Sequence, residues 1–129
     1  MKYITAFLIL SAITFQITFA QSDDVPIDES LIVKLAKVAS GGYISKMDLA
    51  RAKSLEVNER EAVIVSFDYV CQKSGYEANI HNKGAEISEQ ILNHMKAAKI
   101  GTKVSFENIL IENASGEVMS RPLKLTIKS

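Results

Sequence analysis

The sequence contains a single cysteine, Cys71, so no disulfide can form within the chain and the fold must be held by packing alone. The residue pattern around Cys71 directs its thiol inward, where thiols are inert. An excess of either charge is also missing: 15 Lys and Arg stand against 15 Asp and Glu. That balance excludes the clustered basic footprint wanted by nucleic acid or anionic lipid. Internal repeats and low-complexity tracts are absent. Reactive motifs are scarce too. The two histidines, His81 on an expected loop and His94 on an expected helix, have no Cys or carboxylate at metal-ligand spacing. No Gly-x-Ser-x-Gly elbow occurs. Gly41 and Gly42 precede a helix start but lack the Lys and the spacing of a phosphate loop, so they read as a turn. No catalytic, cofactor-binding or metal-ligating residue is assigned, no cofactor is expected, and the chain does not read as an enzyme.

What the sequence does have begins at its N-terminus. Lys2 supplies a positive start, and Ile4 to Ile17 is apolar apart from Thr5, Ser11, Thr14 and Gln16. Thr18-Phe19-Ala20 places small residues at the positions a signal peptidase reads, and Gln21-Ser22-Asp23-Asp24 then turns polar. Residues 1–20 are therefore read as a cleaved secretory signal. The competing reading is a retained anchor, because the apolar run approaches the minimum of about 17 residues for a spanning helix. Gln16 and the small-residue exit favour cleavage, which leaves no stable membrane insertion. No Cys follows the run, so a lipid-anchored start is disfavoured. Cleavage would leave 109 of the 129 residues, one domain, able to bury about 60 to 70% of its unfolded surface.

Residues 21–30 carry four carboxylates and Pro26 and read as a flexible, solvated leader; the domain is expected over 31–129. Leu31 to Val38 places Leu31, Val33 and Leu35 on one side of a strand, although Ile32, Leu35, Ala36 and Ala39 also fit helical spacing; strand is preferred, ending at Gly41 and Gly42. Ser45-Lys46-Met47-Asp48 is a capping box with Asp in the Glu position, opening a short helix near 46–53. The clearest strand is Glu61 to Gln72, with Val63, Val65, Phe67, Tyr69 and Cys71 on one face and Asp68 on the other. If the Asp68 face is covered, an unpaired carboxylate there is costly; if the face is wet, it is ordinary.

Lys73-Ser74-Gly75 is a turn, with Tyr76 to Ile80 returning as the hairpin partner. Ser88 caps a second helix whose apolar stripe is Ile91, Leu92, Met95 and Ala98, with Gly101 expected as its C′ residue. Thr102 to Glu112 is a strand whose apolar phase slips from Val104 and Phe106 to Ile109 and Ile111, which a bulge near Glu107-Asn108 would explain. Asn113 to Gly116 is a hairpin turn, which also accounts for the glycosylation-like Asn113-Ala114-Ser115. Val118 to Ile127 closes the chain, with Pro122 marking what precedes it as edge or bulge. The fold class is mainly β, sandwich-like and antiparallel, with two short helices and an α+β flavour.

The run from Ser40 to Leu49, the strand holding Val65-Ser66-Phe67, the Ser-capped Glu89-Gln90 helix start, Lys99 to Ile109, Gly116, and the close from Arg121 to Ile127 together resemble the C-terminal domain of the gliding-motility protein family GldM, called PorM in related bacteria. The resemblance covers about residues 31–128. It implies a compact β-sandwich-like domain with helical additions, located in the periplasm, whose work is contact. In that family the domain ends a dimeric shaft coupling an inner-membrane motor to an outer-membrane ring in type IX secretion and gliding. The family has a spanning helix and further domains first, whereas here a signal leads straight into the last one. The expectation is thus a stand-alone periplasmic module whose partner is a protein of the cell envelope, with the shaft function not carried over. Its binding edges are expected at 123–127 and at 76–80. A small enzyme or enzyme inhibitor using the 41–48 loop is the alternative from another class. A sandwich holding a small apolar molecule between the sheet and the 89–99 helix is a third reading.

Overall fold

A computed structural model describes residues 25–129; the segment 1–20 expected to be a signal and residues 21–24 of the expected leader lie outside the described residues. The elements run β1 (Val33–Leu35), β2 (Tyr43–Ser45), α1 (Lys46–Arg51), β3 (Leu55–Val57), β4 (Val63–Cys71), β5 (Ala78–Lys83), α2 (Glu89–Ala97), β6 (Lys103–Asn113), β7 (Gly116–Met119) and β8 (Leu123–Lys128). A six-stranded sheet has the order β2-β8-β6-β4-β5, with β7 pairing β6 beyond β8. All its pairings are antiparallel except β2 with β8, which is parallel. A separate two-stranded ribbon, β1 with β3, joins the helices in covering one face. The fold is mainly β with two helices, α+β and sandwich-like.

The long strands follow from alternating β-branched and aromatic residues, but the alternation in β4 is broken. Between Ile64 and Ser66 the strand advances two residues while β6 advances one; between Ser66 and Asp68, β6 advances three against two. These are bulges of opposite sense, one per strand, so the register recovers. The bulge on β6 is the expected one, and Asn108 sits in it with φ +50, a conformation Asn tolerates better than most side chains. The bulge on β4 corrects the expected face. Phe67, Tyr69 and Cys71 do turn inward, but Ile64 replaces Val63 and Val65 in the core, and Val63 is 59% exposed. Each extra residue reverses the side on which its neighbours lie.

Short elements account for the remaining differences. β1 ends at a tight turn in which Ala36 and Lys37 both have positive φ and Leu35 and Val38 exchange backbone hydrogen bonds, so the stop comes before Gly41. β2 occupies part of the segment expected to be only a turn and cap. α1 is capped by Ser45 Oγ, which accepts the Asp48 N–H at 3.0 Å. Ser88 Oγ caps α2 by accepting the Ile91 N–H at 3.3 Å. The C-cap of α2 is Ala98, not the turn before Gly101; Gly101 instead donates its N–H to the Ile127 carbonyl at 2.7 Å. The carbonyls of Lys96 and Ala98 at the end of α2 are taken up by the Lys46 ammonium, a favourable place for a cation on the helix dipole. Ile91 and Met95 on α2 are fully buried in the core shared with the sheet. The leader is less free than expected, because Pro26 and Asp28 pair with Met119 of β7 through two 2.8 Å backbone bonds.

Candidate functional site

The uncovered face of the sheet can be laid out from its register. Tyr43, Thr126 and Lys103 form one row across β2, β8 and β6. Lys124, Ser105, Val70 and Asn79 form the next, across β8, β6, β4 and β5. Glu107, Asp68 and His81 form a third. These side chains alternate with the buried set, so this face meets solvent, as one face of such a sheet commonly does.

Asp68 lies on that face and is partnered. His81 Nδ1 is 2.7 Å from Asp68 Oδ1, and Asn108 Nδ2 donates to Oδ2 at 2.9 Å. His81 is a strand residue directly opposite Asp68, which corrects its expected place on a loop: β5 runs three residues past Ile80. Asn108 reaches the carboxylate because the bulge turns it out of the ladder. Partial burial pushes the Asp68 carboxyl up, but the bonds from Asn108 and His81 and the charge of His81 together hold it below the ordinary carboxylate value. Its neighbour Glu107 accepts a 2.9 Å bond from Ser105 Oγ.

Beside this row the face dips into an open hollow of about 720 Å³. Lys73, Lys103 and Lys124 border it from three separate elements, with Tyr43, Gln72 and Thr126 completing its polar wall. Tyr43 is 61% exposed.

The free margins of the sheet differ from expectation. The 123–127 segment is no edge, because β8 is hydrogen-bonded to β2 on one side and β6 on the other. The 76–80 segment does belong to an edge, since β5 pairs β4 alone. Gly84 donates its N–H to the Val65 carbonyl at 2.6 Å. Antiparallel alternation from that bond turns the backbone groups of Asn82, Ile80 and Ala78 toward β4 and those of His81 and Asn79 outward. Among the described residues nothing pairs with the outward groups of Asn79 and His81. The other margins are closed early. In β2 the Thr126 N–H on the Gly42 carbonyl leaves only Tyr43 facing out before Ser45 becomes the cap of α1. β7 is met by Pro26–Asp28.

His94 lies on α2 as expected, is half-buried, and is engaged on one side. Its Nδ1 lies 2.7 Å from the Tyr69 hydroxyl, and its carbonyl accepts the Tyr76 hydroxyl at 2.5 Å. The Tyr76 ring stacks on the imidazole at 4.1 Å. Nε2 of His94 is buried without a partner. Burial lowers the His94 pKa, against a smaller upward pull from the Tyr76 backbone. Burial likewise raises Tyr69 strongly, with smaller contributions from Cys71 and Tyr76. Cys71 is buried, as expected. Asn82, which sequence reasoning did not single out, is 5% exposed. Its amide donates to the carbonyls of Lys83, Gly84 and Glu86, and its oxygen accepts the Ser88 N–H. The Asn113 side chain closes the β6–β7 turn by accepting the Ser115 N–H at 2.9 Å.

No protein-family model, curated protein or solved structure matches this chain.

Proposed function

We propose that this chain is a non-catalytic contact domain of the periplasm, exported by its N-terminal signal, that binds an envelope protein by accepting a strand along β5. The reading agrees with the resemblance to the terminal domain of the GldM shaft, and with it a link to type IX secretion or gliding. The observation that carries it is the outward-facing backbone of Asn79 and His81 on an uncovered strand of six residues. An added strand satisfies such groups by main-chain hydrogen bonds, which supply affinity, while alternate side chains supply selectivity. Stable folds blunt long open edges with charge, bulges or cover; β5 carries Lys83 and His81 but neither Pro nor bulge.

The test uses proline at outward positions. Asn79→Pro and His81→Pro remove an N–H that points away from β4 and leave the β4–β5 backbone bonds in place; His81→Pro also gives up the exposed side-chain bond to Asp68, so Asn79→Pro is the cleaner of the two. The tagged wild-type chain captures one defined envelope protein from periplasm, and both variants lose it while keeping the wild-type melting temperature within a few degrees. Capture that survives both substitutions overturns the edge reading.

A further inference from the structure

The hollow beside Tyr43 lies on a different surface from the β5 edge and has a chemistry of its own. Lys73 comes from the turn after β4, Lys103 from the start of β6 and Lys124 from β8, yet all three border one recess. Glu107 is the one carboxylate among the lining residues, and its side chain is held by Ser105 Oγ. Among the described residues none of the three lysines forms an ion pair; the ion pairs present are His81–Asp68 and Arg121–Glu29. Three ammonium groups without ion-pair partners thus border one recess against a single carboxylate, in a chain whose total charges balance.

The spacing suits one kind of anion. Lys103 stands opposite Thr126, and Lys124 lies two residues back along β8, a diagonal neighbour at about 7–8 Å between Cα atoms. Alternate residues of an extended peptide are separated by about 6.8 Å, so carboxylates at alternate positions meet these two lysines in step. From β2 to β4 the recess crosses three strand spacings, about 14 Å, room for about four extended residues. Gln72, Ser105 and Thr126 offer side-chain groups to the backbone of such a segment, and the Tyr43 ring closes the β2 side. The recess also lies within a sheet face rather than on a protruding tip, which disfavours a planar lipid surface.

We propose that this hollow binds an extended acidic segment of a partner protein, with Asp or Glu at alternate positions held by Lys103, Lys124 and Lys73. The site is independent of strand addition at β5, so either can fail alone.

The experiment is fluorescence anisotropy with the full mature chain and a labelled peptide of alternating Glu and Thr, against the same peptide with Gln for Glu. The Glu peptide binds, the Gln peptide binds at least about tenfold more weakly, and added salt weakens the Glu complex, as screening requires. K103E/K124E loses at least about tenfold in affinity, and K73E, at a turn position outside the ladder, loses several-fold with no effect on melting. K34E/K37E, on the covering ribbon, binds as wild type. Equal binding of the Gln peptide, or no loss on reversing Lys73 and the strand lysines, overturns the proposal. So does the absence of peptide binding, including a result in which only a polyuronate or anionic phospholipid vesicles bind.

Discussion

At the scale of single residues, two titrating groups respond to acid in different windows. His94 has its pKa lowered by burial in the folded chain. Below the ordinary histidine value of 6.5, the unfolded chain takes up that proton first, so folding stability falls as pH drops through the mildly acidic range and is unaffected above it. Asp68 has a folded pKa below its ordinary value of 3.8. Its contribution is therefore complete above that value and is lost as pH falls further, through the folded pKa. Melting temperature followed against pH is expected to show both losses in the wild type. His94→Gln removes the mildly acidic one, and Asp68→Asn reduces the strongly acidic one to what Asp28, its carboxyl held low by the bonds from Ser30, still contributes. A mildly acidic limb that persists in His94→Gln refutes the assignment to His94.

Asn82 is the other residue with a large expected effect. It faces the interior from an edge strand and joins three carbonyls to the N–H of the α2 cap residue. Asn82→Ala leaves those groups unpaired in a buried place, a loss of about 2–3 kcal/mol in urea unfolding. Asn82→Asp sets a carboxylate against carbonyl oxygens and costs more. The Asn is needed for the chain between β5 and α2 to turn as it does. Its sequence signal was weak: a polar residue continuing the inward Ala78, Ile80 pattern.

At the scale of elements, legibility tracks length. β4, β6 and α2 span nine, eleven and nine residues, enough for a period to repeat, and each was readable as an element, β6 with its bulge and α2 with its cap. β2 and β3 have three residues each, less than two alternations, so only their partners reveal them. The bulge on β4 was invisible because Val63, Ile64 and Val65 are all apolar, and either phase satisfies the pattern. His81 was misplaced for a related reason: the end of β5 carries Asn82 where an apolar residue would have extended the alternation. The pairing of Asp68 with His81 then follows from the hairpin register alone. The three lysines of the hollow had no common sequence signal, since they meet only through a sheet order that sequence spacing does not encode.

The turn between β1 and Val38 carries a testable strain. Ala36 and Lys37 have φ values of +51 and +68, the geometry of a two-residue hairpin turn normally filled by Asn-Gly. L-residues with a Cβ pay for this region, and Asn and Gly do so least. Replacing Ala36-Lys37 by Asn-Gly is expected to raise unfolding free energy by about 0.5–1 kcal/mol. Lys37→Pro, which cannot reach positive φ, is expected to unfold the ribbon. Urea midpoints at unchanged slope check the first, and loss of β1 amide protection checks the second.

For the whole molecule, the sheet is asymmetric in what it leaves open. One face is sealed by α1, α2 and the β1–β3 ribbon; the other is wet. Of its margins, β2 gives way to α1 after Ser45, with only Tyr43 facing out, and β7 is met by the chain at 26–28, which leaves β5. Amide exchange distinguishes these states residue by residue. In β8, Lys124 N–H donates to Ser40 Oγ, Thr126 N–H to Gly42 and Ile127 N–H to Thr102, so protection runs unbroken along the strand. In β5 the N–H groups of Ile80 and Asn82 face β4 and those of Asn79 and His81 face solvent, so protection alternates, with the outward pair exchanging at least about tenfold faster. If β5 receives a partner strand, the outward pair becomes protected in the complex while β8 is unchanged. Uniform protection along β5 in the isolated chain would mean that its edge is already covered, and a domain with that edge covered has no strand to share.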